Sequence, residues 1–101
     1  MSRIKVLLHA TAPEGDPGAV ERAYHQISQA LDGTPGLLGN ELLSSTTQPG
    51  TFIVASEWAS AEAFATWERG ADHRATTAPL RPYQDGSRGA AFGIYQVAAT
   101  Y

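Results

Sequence analysis

The chain opens on a two-residue alternation. Ile4, Val6, Leu8 and Ala10 fall on one face and Lys5, Leu7, His9 and Thr11 on the other, which predicts a strand over residues 3–11. The period then lengthens. Ala12 to Gly15 turn the chain, Asp16 is placed to cap and Pro17 suits a first helical position. Val20, Ala23, Ile27, Ala30 and Leu31 then recur at helical spacing until Gly33 and Pro35 stop them. The apolar runs GLLGNELLSSTT and TFIVASEW flank Gln48-Pro49-Gly50 and predict an antiparallel hairpin, with Phe52, Val54, Ser56 and Trp58 on one side of its second strand. Ser60 as N-cap and Glu62 in the first turn start a second helix, SAEAFATWER, on which Trp67 sits one turn beyond Phe64 at the edge of the apolar face. Gly70 loosens that helix and Asp72 is placed to cap a short following one. Pro79 and Pro82 are expected to end helical structure. RPYQDGSRG reads as a turn-rich, mobile stretch, and AAFGIYQVAATY as a last strand with Phe92, Ile94, Gln96 and Ala98 on one face.

Strand, helix, strand, strand, helix, strand is the ferredoxin-like βαββαβ order, an α+β fold in which a four-stranded antiparallel sheet carries both helices on one face. Residues 1–101 therefore form a single domain, without repeat, linker or low-complexity tract. The helices cover only one side of the sheet, yet the first and last strands carry apolar residues such as Leu7, Tyr95 and Val97 on the other. A second copy of the same sheet is the simplest cover, so the expected state is a homodimer.

Composition narrows the chemistry. With no cysteine, the chain has no disulfide, no thiolate metal site and no cysteine nucleophile, which fits a reducing cytoplasm. The N-terminal apolar run, bounded by Lys5 and His9, is too short for a secretory or membrane segment, so a soluble, unprocessed chain is expected. Net charge is −3 and the seven basic residues are scattered, giving no footprint for nucleic acid or an anionic membrane. The three histidines stand apart without a matching carboxylate spacing, so no metal site is expected. There is no Gly-x-Ser-x-Gly elbow, and GDPG is neither a phosphate loop nor a dinucleotide fingerprint.

What remains is the passage EWASAEAFATWERGADH, residues 57–73, which holds both tryptophans and one of the three histidines. His73, behind a loosened helix end, is a candidate general base, because imidazole titrates nearer neutrality than other side chains; a solvated or capping histidine is the plainer reading. Trp67 reads equally as a pocket wall or as a cap on the core. Trp58, at a strand end, is first a core residue and then a candidate contact for a ligand. Val6, Leu8, Phe64 and Ile94 would line a pocket under the helices, and Tyr83 with Arg81 would border it as a lid or simply as a Pro-flanked loop. His9 alternates away from the helices toward the expected dimer face, and His25 lies on the exposed side of the first helix.

Length, element order and the stretch FIVASEWASAEAFATWERGADHRATTAPLRPY resemble the antibiotic biosynthesis monooxygenase family, the dimeric α+β-barrel proteins related to quinol and anthrone monooxygenases. The recognisable marks are a strand ending in Glu57-Trp58, a helix bearing Trp67, and His73 beyond it. The resemblance covers nearly the whole chain and implies a pocket between sheet and helices where an electron-rich quinol, naphthol or anthrone meets molecular oxygen without flavin or metal. Deprotonating such a substrate gives an anion that itself passes an electron to oxygen, so the protein need only bind, deprotonate and exclude water. The family's anthrone oxygenases carry an asparagine one turn before the helix tryptophan and a tyrosine after it; here Ala63 stands at the first place and His73 near the second. The heme-degrading branch of the superfamily uses a first-strand asparagine, a helix tryptophan and an axial histidine. Leu8 and Thr77 replace two of those three, so heme is not the expected group, although His73 could approach an iron from a shifted helix.

The resulting expectation is a cofactor-independent monooxygenase acting on a phenolic, quinol or anthrone-type, polyketide-like aromatic. His73 is the base, Trp67 orients the ring, and Val6, Leu8, Trp58, Phe64, Tyr83 and Ile94 contact the substrate. Two other readings use the same pocket. One is a polyketide cyclase or isomerase that abstracts a proton without oxygen, and the other a non-catalytic small-molecule-binding or stress protein.

Overall fold

In the computed structural model, which describes residues 2–87 and 89–101, four strands form one antiparallel sheet in the order β2-β3-β1-β4. The strands are β1 (Ile4–Thr11), β2 (Leu37–Ser44), β3 (Thr51–Trp58) and β4 (Phe92–Gln96); the α-helices are α1 (Ala19–Leu31), α2 (Ala61–Arg69) and α3 (His73–Thr77). A 3-10 helix, Ala78–Tyr83, links α3 to the segment leading into β4. This is the ferredoxin-like α+β arrangement. Met1 and Arg88, the latter within the stretch RPYQDGSRG, lie outside the described residues.

Register explains which side chains share a face. Ile4, Val6, Leu8 and Ala10 stand opposite Trp58, Ser56, Val54 and Phe52 of β3. All of these look toward the helices, because residues two apart on a strand share a side. Two core clusters fill that space. Ala10 packs with Val20, Ala23, Ile27 and Leu31 of α1 and with Leu80. At the other end Ile4, Val6 and Trp58 pack with Phe64 of α2. Trp58 is only 1% exposed, the largest fully buried side chain among the described residues. Burial of a side chain of that size contributes about 2–3 kcal/mol, so the strand-end tryptophan is first of all a piece of core.

Local signals set the element ends. Ser60 caps α2 by accepting a bond from Ala63 N at 3.1 Å. The turn between β2 and β3 closes on Gly50, whose φ of 86° is open to glycine at little cost. Elsewhere the structure departs from sequence expectation. Helix α1 begins at Ala19 with Gly18 as its N-cap, not at Pro17. The Asp16 carboxylate is taken by the Arg22 guanidinium and so is unavailable to cap, while its carbonyl closes a turn onto Ala19 N at 3.2 Å. Ala30 is exposed rather than part of the buried stripe. Asp72 occupies the N-cap position of α3 but makes no side-chain cap bond.

Pro79 and Pro82 do not end helical structure; both lie inside the 3-10 helix. Pro79 is in its first turn, where a missing N–H forgoes no bond. The stretch after it is tied down: Gln84 bridges to Ala10, Asp85 N donates to His9 O at 2.9 Å, and Thr11 Oγ1 donates to Asp85 Oδ2 at 2.7 Å. Strand β4 stops at Gln96, the partner of Ile4. Beyond that pair only Arg3 O remains to accept a bond, from Val97 N at 3.0 Å, so residues 98–101 have no strand to lie against.

The face turned away from the helices is uncovered. It presents Leu7, Ile53 and Ala55 at its centre, with Leu43 of β2 at 45% and Tyr95 of β4 at 55% exposure on either side. His9 lies on this face, as its alternation predicts, in a shallow cleft with Leu43, Ile53 and Asp85.

Candidate active site

A pocket opens between the sheet and the helices. Its enclosed volume is about 130 Å³, and it is open to solvent on one side. A dry cavity of about 150 Å³ holds a benzene ring. The pocket is slightly smaller than that, so a single ring would fill it and anything larger would extend into the mouth. The wall is mostly apolar, formed by Val6, Leu8, Ile27, Leu31, Val54 and Leu80.

Four aromatic side chains make one end of this pocket. Trp58 meets Phe64 edge to face with centroids 5.4 Å apart, and lies 5.2 Å from Trp67 at a tilt of 33°. Phe64 and Trp67 are 5.9 Å apart. The His73 ring then stands almost perpendicular to Trp67, at 4.6 Å and 86°. The chain arrives at this geometry in a simple way. Trp58 ends β3, two residues and the Ser60 cap turn the chain, and Phe64 and Trp67 fall one turn apart on α2. Gly70 then ends α2 by donating to Trp67 O at 3.0 Å, and the chain turns so that His73, the first residue of α3, comes back against the indole.

His73 is half-buried, and its backbone is fixed at both ends: its N–H donates to Gly70 O at 3.3 Å and its carbonyl accepts from Thr77 Oγ1 at 3.0 Å. Arg81 Nη2 donates to Arg74 O and to Thr77 Oγ1, at 3.0 and 3.1 Å, tying the 3-10 helix to α3. Arg81 is thus a brace rather than a free lid. Neither ring nitrogen of His73 has a hydrogen-bond partner among the described residues.

Of the residues picked from sequence, Val6, Leu8, Trp58, Phe64, Trp67 and His73 all line this pocket. Tyr83 and Ile94 do not. Tyr83 packs against the core cluster of Ala10, Val20 and Leu80 from outside. Ile94 shares the helix-facing side with its partner Val6 on the edge strand β4, but its side chain is 51% exposed and lies outside the pocket lining. Phe92, two residues earlier and opposite Leu8, lines the pocket where Ile94 was expected.

The sequence reading also passed over a polar wall. Tyr24 and Ser28 of α1, Asn40 of β2 and Ser56 of β3 line the pocket. Tyr24 OH donates to Asn40 O at 3.2 Å, Ser28 Oγ to Asn40 Oδ1 at 3.1 Å, and Trp58 Nε1 to Ser56 Oγ at 3.0 Å. The available signal was the position of Ser56 and Asn40, polar residues on strand faces otherwise apolar toward the helices. Glu68 is the one carboxylate among the lining residues, and it is exposed. Among the described residues no group of three or more His, Asp or Glu side chains could hold a metal ion. Leu8 and Thr77 both line the pocket, beside His73.

A four-stranded antiparallel sheet with an apolar pocket under its helices, an aromatic end wall and an unengaged imidazole defines a ferredoxin-like α+β protein. The sequence model of the antibiotic biosynthesis monooxygenase family matches residues 3–79, and the chain belongs to that family. SchA of Streptomyces halstedii is 29% identical over 98 residues, covering 97% of this chain and 26% of that protein. A 42.8 kDa protein in the whiE locus of Streptomyces coelicolor is 30% identical over 79 residues, covering 78% of this chain and 20% of that protein. The chain thus spans about a quarter or less of the length of these curated relatives. Among solved structures, SnoaB, a cofactor-independent oxygenase from Streptomyces nogalater, superposes with a TM-score of 0.80 at 15% identity over 99% of this chain and 97% of that one. An asparagine-to-alanine variant of SnoaB gives a TM-score of 0.82 over the same shares. A candidate antibiotic biosynthesis monooxygenase of Caulobacter crescentus gives 0.73 at 20% identity, over 99% and 92% of the two chains. At these identities the likeness establishes the fold. No helix among the described residues is long and apolar enough to cross a membrane.

Proposed function

We propose that this chain is a cofactor-independent monooxygenase that oxidises a phenolic, quinol or anthrone-type, polyketide-like aromatic with molecular oxygen. The observation that carries this reading is the pairing of Trp67 with His73 in the apolar pocket, with both imidazole nitrogens unengaged. Family membership and the fold shared with SnoaB support it.

The chemistry balances without a further reagent. An anthrone CH₂ gives a proton to His73, and the electron pair left on carbon is delocalised onto the ring oxygen. That anion passes one electron to O₂, the carbon radical and superoxide join through a new C–O bond, and the imidazolium returns its proton to give a hydroperoxide. Loss of water then leaves a carbonyl, so CH₂ and O₂ become C=O and H₂O. The aromatic wall and Leu8, Val54 and Leu80 exclude water from the anion, which strengthens every polar contact made to it. The enzyme works as a homodimer through the uncovered sheet face, in the cytoplasm, and needs neither nucleic acid nor a membrane.

The test is oxygen uptake by the metal-free protein with a panel of anthrones and naphthoquinols, comparing wild type with His73→Ala and Trp67→Phe. Uptake above the spontaneous rate, falling at least tenfold in His73→Ala, is the expected outcome. Substrate consumed without oxygen would make the protein a cyclase or isomerase. A panel member that raises the melting temperature without being consumed would make it a binding protein.

A further inference from the structure

Asn40 and Ser56 are direct partners across the β2–β3 hairpin, and both line the pocket that holds Trp67 and His73. Side chains so paired on neighbouring antiparallel strands have Cβ atoms about 4.5–5.5 Å apart. Each carries both donor and acceptor capacity, and in each one acceptor lone pair is already engaged. Ser28 Oγ donates to Asn40 Oδ1, and Trp58 Nε1 donates to Ser56 Oγ. What remains are the Asn40 Nδ2 amide and the Ser56 hydroxyl proton, neither of which has an acceptor among the described residues. The backbone beneath them is held as well, by the bond from Tyr24 OH to Asn40 O.

The pattern has a direction. Had the pocket been built for a donor such as a neutral amine, the acceptors Oδ1 and Oγ would face it free. Instead Ser28 of α1 and the buried Trp58, themselves part of the pocket wall, each take up a lone pair of those acceptors, and the two donors are left without a protein acceptor. Paired neutral donors on a hydrogen-bonded hairpin, in a wall otherwise apolar, suit an oxygen on which negative charge develops during reaction. We infer that Asn40 Nδ2 and Ser56 Oγ form an oxyanion hole for the phenolate or enolate oxygen of an aromatic substrate. Ser28 and Trp58 act as positioning residues that fix the orientation of the two donors. The inference rests on the pocket being the substrate site, as proposed above. It adds the group that receives the charge which the departure of a proton to His73 creates.

The probe is 4-nitrophenol, a single-ring phenol small enough to place its hydroxyl in the pocket with its nitro group in the open mouth, and whose anion absorbs visibly. Titrated into the wild type at fixed pH, it is expected to bind as phenolate in preference to phenol. Asn40→Ala and Ser56→Ala should each lower that preference about 10–100-fold, the worth of one hydrogen bond to a charged group. Asn40→Asp separates this from a merely structural role: it keeps an acceptor for Ser28 and the side-chain shape but replaces the donor with a charged oxygen. Its anion preference should fall below that of Asn40→Ala. In turnover with an anthrone the same variants should lose about 100-fold in kcat with KM little changed.

A wild type that does not take up the probe at millimolar concentration or shows no preference for the anion overturns the inference. So do Asn40→Ala and Ser56→Ala variants with the wild-type ratio, and an Asn40→Asp variant that restores what Asn40→Ala loses. The two proposals fail separately. Absence of oxygen uptake with the expected probe ratios sinks the oxygenase reading and leaves the oxyanion hole standing. Full uptake with ratios unchanged in the variants does the reverse.

Discussion

The rings of Trp67 and His73 stand almost perpendicular, 4.6 Å apart, although one belongs to α2 and the other opens α3. Such a T-shaped contact is worth about 0.5–1.5 kcal/mol beyond the area it buries. It fixes an imidazole that no hydrogen bond to its ring holds. If the indole orients the base, the two residues act as a unit. Trp67→Phe should cut kcat about tenfold, and the double variant Trp67→Phe/His73→Ala should be no slower than His73→Ala alone. Steady-state oxygen uptake of the four proteins checks this; additive losses would mean that Trp67 acts on the substrate independently of His73.

Trp58 belongs to the core before it belongs to the pocket. With 1% of its surface exposed and Phe64 and Trp67 packed on it, Trp58→Ala should cost about 3–5 kcal/mol in urea denaturation. A loss below about 1 kcal/mol would contradict the packing described here.

Gly36 is the one glycine where two constraints meet. Its φ is 82°, and a Cβ there would run into the Ala63 methyl of α2, whereas Gly33 has a φ of 83° with nothing nearby. Gly33→Ala should therefore lose only about 1–2 kcal/mol, the cost of the left-handed conformation. Gly36→Ala should lose about 1–3 kcal/mol more, because helix α2 must shift. Paired denaturation curves compare them directly, and equal losses would rule out the close approach. Ala63 is also where the resemblance to anthrone oxygenases expected an asparagine, and the nearness of Gly36 leaves a larger side chain little room there.

The uncovered sheet face predicts its own assembly. Ile53 lies between His9 and Leu43 in the strand register, and Ile53→Glu places a charge in the middle of the apolar patch. The wild type should sediment as a dimer and this variant as a monomer that keeps its secondary structure. A monomeric wild type at micromolar concentration would sink the dimer proposal.

How far the sequence reached can be followed residue by residue. Alternation placed Val6 and Leu8 beneath the helices and His9 and Leu7 on the other face. The Ser60 cap and the Gln48-Pro49-Gly50 turn were local enough to be legible as they stand. Asp16 failed as a cap because its partner, Arg22, is chosen by a side chain reaching back along the helix, which periodicity does not encode. Strand β4 was drawn too long because its end depends on where β1 begins, a fact about the partner strand.

By itself, then, the sequence determined the order of the elements, which face of each is apolar, and the closeness of Trp58, Phe64 and Trp67 at one strand end and the helix that follows it. Each follows from a period or a cap spanning a few residues. The turn of His73 back onto Trp67 came only with the structure. Only the tertiary structure decided, too, that Phe92 rather than Ile94 closes the pocket, that Tyr83 stays outside it, and that Asn40 and Ser56 meet across a hairpin with one acceptor lone pair of each already engaged. Those outcomes depend on strand register and on how the helices pack over the sheet. Both are set by packing between residues distant in the chain.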